Sequence, residues 1–272
     1  MIDRVHHVGV VVHSADDALK FYRDIMGLEV TADQVVEEQG VRGVLLQVGE
    51  NEIELLQPTR EDTGVARYLE SKGQILQHIC FNTDDIRAEL ARLKAAGIQL
   101  VDEEPRNGLA GEVAFIHPRA MHGVLIELAQ PPAGAHTSTA KGFDHLAVSV
   151  KDLEAGAQAW KTVVGLEVTN KIEPEGRGMV IGQMPSGQCI VELLAPTSPD
   201  SPMAQRLEAE GESAASMVAI EVDDLDAEVA RYRAAGITLD DPAVGVLPNS
   251  RTATISAEQA FGLRIQLIEF SK

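Results

Sequence analysis

The chain has 272 residues, of which 44% are hydrophobic and 24% are charged, and its formal net charge is −19. This length suits two domains of roughly 130 residues, each large enough to bury a core. The negative charge would repel a phosphate backbone, so nucleic acid is not an expected partner. No apolar run approaches the roughly 18 residues of a membrane span, and the first residues lack the pattern of a signal peptide. We therefore expect a cytoplasmic protein with no membrane partner.

The first predicted elements form a βαβββ unit. Ser14 is placed to cap the helix of this unit, with Asp17 three residues later, and the helix is predicted to run towards Gly27. Glycine is the residue best suited to the left-handed position that ends many helices. The strands of the unit are predicted at residues 7–12, 28–36, 41–48 and 52–56.

The same order of elements recurs along the chain. Helix-ending glycines stand at intervals of 70, 68 and 71 residues, at Gly27, Gly97, Gly165 and Gly236. In the second unit, strands are predicted at residues 78–83, near Ile98, at 113–116 and at 124–128. The third and fourth units begin with strands at 145–150 and 217–222. Four βαβββ units are therefore predicted.

A single unit would leave a sheet face and its edges uncovered, so the units are expected to pair. Pairing the first with the second and the third with the fourth gives an α+β fold of two domains, residues 1–130 and 142–272. Each domain is predicted to be a cupped, eight-stranded mixed sheet. Residues 131–141, rich in Pro, Gly, Ser and Thr, are predicted to be the linker.

Residues suited to metal binding stand at matched places in the units. The first strands begin with His7, His78, His145 and Met217, and the last strands carry Glu54, Glu127, Glu192 and Gln266. Equivalent positions of two paired units should face each other, so His7, His78 and Glu127 are predicted to hold one divalent cation. Glu54 is predicted to be a fourth ligand or a carboxylate beside the metal.

Two imidazoles and a carboxylate suit Zn, Fe, Co, Ni or Mn better than Mg or Ca. In the second domain the matched residues include Met217 and Gln266, a poor set for such cations. We therefore expect that domain to hold no metal. The remaining histidines have no partners at matched positions, and Cys80 and Cys189 lie in apolar runs where packing is the expected role.

The repeated units with His and Glu on their strands resemble the vicinal oxygen chelate superfamily, which includes glyoxalase I, extradiol dioxygenases and bleomycin-resistance proteins. Within it, residues 3–130 are most similar to methylmalonyl-CoA epimerases. The segments that carry this similarity are EEQGV at 37–41, IELL at 53–56, QHI at 77–79, DEEP at 102–105, FIHP at 115–118 and GVLIEL at 123–128. Residues 143–270 resemble the superfamily in outline.

The resemblance implies that His7, His78 and Glu127 bind the metal and that Glu54 lies at or beside its fourth position. It also implies α-proton transfer on methylmalonyl-CoA or a related acyl-CoA, through an enolate that the metal stabilises, with Glu54 and Glu127 as the catalytic carboxylates. Some family members carry a second catalytic Glu where this chain has Arg42 and Gly43. The base for the opposite face is therefore open among Glu54, Glu37 and Glu38.

Other functions of the same scaffold remain alternatives. One is a glyoxalase I-like lyase or an Fe(II)-dependent extradiol dioxygenase. Another is a protein without catalytic activity that sequesters a ligand, as in drug resistance, for which the net charge of −19 would suit a cationic ligand. The epimerases that the first domain resembles are single-domain chains that pair as dimers, so a homodimer is one expected assembly.

Overall fold

The structure is a computed structural model, and it describes residues 2–133, 138, 140–210 and 215–271. The described residues form six α-helices and sixteen strands. The helices are α1 (Ala15–Tyr22), α2 (Gly64–Lys72), α3 (Ile86–Ala95), α4 (Leu153–Val164), α5 (Pro202–Glu210) and α6 (Leu225–Ala234). A short 3₁₀ helix spans Pro118–Met121.

The strands of the first half of the chain are β1 (Ile2–Val11), β2 (Val30–Val36), β3 (Val41–Val48), β4 (Asn51–Pro58), β5 (Ile75–Thr83), β6 (Arg106–Gly108), β7 (Gly111–Ile116) and β8 (Leu125–Gln130). Those of the second half are β9 (Phe143–Ser149), β10 (Asn170–Ile172), β11 (Met179–Ser186), β12 (Cys189–Pro196), β13 (Ala215–Glu221), β14 (Ala243–Val244), β15 (Ser250–Ile255) and β16 (Ile265–Phe270).

The strands form two eight-stranded mixed sheets, which confirms the predicted α+β class. The first sheet has the order β2-β3-β4-β1-β5-β8-β7-β6, and the second has the equivalent order β10-β11-β12-β9-β13-β16-β15-β14. Hairpin neighbours such as β3 and β4 are antiparallel, whereas β5 and β8 are parallel. Each sheet therefore contains two βαβββ units with their first strands at the centre.

The repeat signals of the sequence have clear structural causes. The side-chain oxygen of Ser14 accepts a hydrogen bond from the backbone N–H of Asp17, 3.1 Å away, as the predicted cap requires. The four repeated glycines have φ angles of 82°, 72°, 79° and 84°, which an L residue rarely adopts. These glycines mark the ends of the four repeated helical segments because the chain reverses there in a left-handed conformation.

Several predicted boundaries differ from the structure. No strand forms at Ile98, because its N–H bonds to the carbonyl of Leu93 and closes the end of α3. Leu100 makes only an isolated bridge with Ile116, and the strand that follows is β6. Helix α1 ends at Tyr22, short of Gly27, and turns cover the interval. Helices α2 and α5, which connect consecutive βαβββ units along the sequence, were not predicted.

Within its described parts the chain forms two compact units, which differ from the βαβββ units and which we call unit A and unit B. Unit A comprises the described parts of residues 1–7, 78–139 and 145–216, and unit B those of 8–77, 140–144 and 217–272. In unit A, the guanidinium of Arg92 donates hydrogen bonds to the carbonyls of Thr162 and Val163. In unit B, the hydroxyl of Tyr22 donates to the carbonyl of Ala260 at 2.6 Å.

Each unit therefore contains residues from both halves of the chain. The division into domains at residues 1–130 and 142–272 stays a prediction. Of the predicted linker, residues 134–137 and 139 lie outside the described residues. None of the helices in the described parts is long and apolar enough to cross a membrane.

The role of the repeated glycines can be tested at Gly165, whose φ is +79° and beside which a new Cβ would meet no atom within 4 Å. The Gly165→Ala variant should lower the free energy of unfolding by about 1 kcal/mol, because alanine is strained in the left-handed region. Gly64 is the matched control, since it opens α2 without a positive φ and also has open space. Gly64→Ala should be neutral or stabilising. Equal losses in chemical denaturation would contradict this explanation.

Candidate metal centre

The centre of the first sheet brings His7 and His78 together. His7 lies on β1 and His78 on β5, which are neighbours in the sheet. The Nε2 atoms of the two rings are 3.1 Å apart, and the rings meet edge to face at 76°. Both side chains are buried, with 0% and 1% exposure. The prediction placed these histidines at strand starts, whereas the structure places both inside their strands.

Glu127 completes a compact group with the two histidines. It lies on β8, beside β5, with Cys80 as its parallel partner in register. Its Oε1 is 3.7 Å from Nε2 of His7, and its Oε2 is 3.6 Å from Nε2 of His78. The carboxylate is 5% exposed. One buried carboxylate therefore faces both imidazole nitrogens.

Glu54, the fourth predicted residue, is buried on β4, where Leu45 is its antiparallel partner on β3. Its place near the metal stays a prediction. The donor set that the sequence predicted thus consists of two imidazoles and two carboxylates, all largely withdrawn from water.

Burial sets the protonation of His7 and His6. It lowers the pKa of His7 from its usual value of 6.5 to about 3. The pKa of His6, the preceding residue, is also lowered to about 3, first by burial and then by the neighbouring His7 and Arg4. His7 is therefore neutral at physiological pH. A neutral imidazole is the form that binds a metal ion.

The residues present fit a divalent transition metal. Imidazole and carboxylate ligands bind such ions at about 2.0–2.2 Å, so ligands of one ion lie roughly 3 to 4 Å from each other. The distances among His7, His78 and Glu127, from 3.1 to 3.7 Å, fall in that range. This combination of nitrogen and oxygen donors suits Zn, Fe, Co, Ni or Mn, and the site does not distinguish among them.

One aromatic and one basic residue lie beside His78 in unit A. The ring of Phe115 meets that of His78 edge to face at 5.4 Å, and the guanidinium of Arg106 lies 5.2 Å from the centre of the Phe115 ring. Arg106 also contacts the carboxylate of Asp102 at 3.3 Å. This places a partly exposed cation one ring away from the buried His78.

The equivalent place in the second sheet is also polar, but there a glutamine side chain bonds to the buried carboxylate. Nε2 of His145 lies 3.9 Å from Oε2 of Glu192, and Nε2 of Gln183 donates to Oε1 of Glu192 at 2.8 Å. Met217 on β13 and Gln266 on β16 are half-buried. The absence of a metal from the second half stays a prediction.

The other histidines divide into several kinds. His13 is exposed, and the ring of His117 accepts a hydrogen bond from the N–H of Arg119 at the start of the 3₁₀ helix. His122 adopts a left-handed conformation with φ of 51°. His136 lies outside the described residues.

Sequence reasoning missed the position of His6. Its Nδ1 lies 2.9 Å from Nδ1 of His7, and it forms a second close group with His7 and Cys80. The available signal was the dipeptide His6-His7, but matching between units gave His6 no partner.

Comparisons with known proteins agree with this fold. The family model for the glyoxalase/bleomycin resistance protein/dioxygenase superfamily matches residues 6–117 and 144–252. The ethylmalonyl-CoA/methylmalonyl-CoA epimerase of Cereibacter sphaeroides is 37% identical over 133 residues, covering 48% of this chain and 99% of that protein. The mitochondrial methylmalonyl-CoA epimerase of Homo sapiens is 35% identical over 131 residues, 47% of this chain and 74% of that protein.

A solved structure matches along the whole chain. A mutant of 4-hydroxymandelate synthase from Streptomyces coelicolor has a TM-score of 0.75 and covers 99% of this chain and 93% of its own, at 18% identity. At that identity the likeness concerns the fold. Because the family model covers both halves, the chain belongs to the glyoxalase/bleomycin resistance protein/dioxygenase superfamily. Its epimerase relatives support enzymatic activity.

Removal of one histidine should remove the metal. We expect His78→Ala to weaken binding of Co²⁺ or Zn²⁺ at least 100-fold, because one of two buried imidazole donors is lost. Competition with a coloured chelator measures this affinity. His13→Ala is the control, since His13 is exposed and lies in neither close group of candidate ligands found among the described residues. Full metal retention by His78→Ala would refute the site.

The buried neutral His7 should make the metal-free protein sensitive to acid. Its native pKa of about 3 lies below the unfolded value of 6.5, so the unfolded state binds more protons between these pH values. This contribution to stability is complete above pH 6.5 and is lost on acidification, by about 2 kcal/mol at pH 5.

Chemical denaturation at pH 7 and pH 5 in the presence of a chelator measures the loss. His7→Gln should lose less stability than the wild type over the same interval, whereas His13→Gln should match the wild type. An identical pH dependence in all three proteins would contradict the assignment.

Proposed function

We propose that the chain is a metal-dependent epimerase or isomerase that transfers the α-proton of an acyl-CoA thioester, with methylmalonyl-CoA as the first candidate substrate. Two relatives named as epimerases of such thioesters match the half that carries His7, His78 and Glu127. The observation that carries the proposal is the buried group of His7, His78 and Glu127, in which the carboxylate lies 3.7 Å and 3.6 Å from the two Nε2 atoms.

The proposal assigns His7, His78 and Glu127 to hold the cation and Glu54 to move the proton. A divalent cation bound there supplies Lewis-acid stabilisation for the negative charge that develops on the thioester oxygen. Glu54 is assigned as the base because a carboxylate can remove an α-proton beside a thioester, and Glu54 is the buried glutamate at the position matched to Glu127. Burial of all four side chains keeps competing water away.

The other base candidates are less suited to this role. Glu37 and Glu38 are exposed in the turn between β2 and β3. Arg42 is engaged with two carboxylates, since its guanidinium contacts Asp33 at 2.8 Å and Asp16 at 2.9 Å. Gly43, its neighbour, has no side chain to act. These observations favour Glu54 over both exposed glutamates, and they leave the opposite face of the substrate to a residue not yet assigned.

The test is incorporation of deuterium from D₂O into methylmalonyl-CoA and related thioesters by the metal-loaded protein. We expect Glu54→Gln to reduce the exchange rate at least 100-fold, because the amide cannot accept the proton. Glu52→Gln is the matched control two residues away on β4, where Glu52 accepts a hydrogen bond from Thr31. Metal affinity is measured for both variants, so that loss of the base is separated from loss of the ion. Absence of exchange by the fully loaded wild type would refute the epimerase proposal.

A second candidate is an Fe(II)-dependent oxygenase, because two histidines and one carboxylate are the ligand set that many non-haem iron oxygenases use. Oxygen uptake with catechols after anaerobic loading with Fe(II) tests this reaction. A trace no different from the buffer excludes ring cleavage of those substrates. The cytoplasmic location and the homodimer stay predictions.

A further inference from the structure

His6 has no place among the proposed ligands, yet it contacts one of them closely. Its Nδ1 is 2.9 Å from Nδ1 of His7, within hydrogen-bond distance, and the two rings meet at 82°. His7 therefore presents its two nitrogens to different partners. Nδ1 faces His6, whereas Nε2 faces His78 and Glu127.

Metal binding requires one particular tautomer of His7. A neutral imidazole carries a single N–H, and the other nitrogen carries the lone pair that binds the ion. For Nε2 of His7 to bind, the proton must be on Nδ1, which then donates to Nδ1 of His6. His6 can accept only if its own proton is on Nε2. Residues that orient a ligand histidine in this way typically change metal affinity 10- to 100-fold when they are replaced.

We propose that His6 is a positioning residue that holds His7 in the Nδ1–H tautomer and so prepares its Nε2 for the metal. The inference rests on the proposed metal site and is independent of the reaction. The sequence offers a parallel, because Gln77 precedes His78 and Asp144 precedes His145. Each of the three strand histidines thus follows a residue whose side chain can accept a hydrogen bond.

A pair of substitutions at His6 separates the hydrogen bond from packing. His6→Asn keeps an acceptor, since the amide oxygen is attached where Nδ1 stands in histidine, and His6→Leu removes it. We expect His6→Leu to bind Co²⁺ 10- to 100-fold more weakly than the wild type, and His6→Asn to recover most of the affinity. His13→Leu is the control for loss of an exposed histidine. Equal weakening in both His6 variants would overturn the proposal, and so would unchanged affinity in His6→Leu.

A second measurement, of the His7 tautomer itself, does not depend on whether the His6 variants fold. Nitrogen-15 NMR of the metal-free wild type, with the His7 signals assigned by their loss in His7→Gln, reports which ring nitrogen carries the proton. A proton on Nδ1 of His7 supports the proposal, and a proton on Nε2 overturns it. The NMR result is independent of the metal-binding result. If the wild type binds no Co²⁺, the proposed metal site is refuted, whereas the tautomer of His7 is still decided by NMR.

The group of His6, His7 and Cys80 also allows a competing explanation, in which these residues bind an ion of their own. Metal stoichiometry decides between them. One Co²⁺ per chain in both the wild type and Cys80→Ser supports the positioning role. Two ions per chain, falling to one in Cys80→Ser, would overturn it, because Nδ1 of His7 would then bind metal instead of donating to His6.

Discussion

The contact between Nε2 of His7 and Nε2 of His78 is the constraint on which the first half of the molecule depends. At 3.1 Å, in a buried environment, two lone pairs cannot face each other without a proton or a cation between them. Burial keeps the His7 ring neutral, so the charge needed to balance the nearby carboxylates cannot come from that ring. In the proposed site, a divalent cation bound by both nitrogens and by Glu127 would remove this conflict.

The repeated βαβββ unit is what creates this constraint. Each βαβββ unit supplies one central strand. The order of strands in the first sheet is β4-β1-β5-β8 at its centre. Each central strand carries one histidine and each flanking strand one glutamate, so the pattern of residues along the sheet has two-fold pseudo-symmetry. The same order brings β9, β12, β13 and β16 together in the second sheet. A single pattern repeated in the sequence therefore encodes both the fold and the meeting of His7 with His78.

The sequence predicts well which residues the sheet brings together, because residues at matched positions of two βαβββ units occupy equivalent places in the sheet. The proximity of His7, His78 and Glu127 follows from their places in two units, without knowledge of the contacts. Local exceptions escape such reasoning. Ile98 has the composition of a strand residue, yet its N–H closes a helix end. His6 was missed for a different reason, since its contact is with its own neighbour and matching between units carries no information about it.

The two sheets also differ in the residue that stands opposite a buried glutamate, and this difference changes the hydrogen bonding of its carboxylate. Gln183 stands opposite Glu192 in the second sheet, at the register position that Leu45 has opposite Glu54 in the first. The amide of Gln183 donates a hydrogen bond to Glu192, whereas the side chain of Leu45 offers no donor. In the second half a neighbouring side chain therefore stabilises the carboxylate. In the first half the matched position contributes packing, because the Leu45 side chain has no polar atom. The two halves therefore differ in what this strand position gives to the buried carboxylate opposite it.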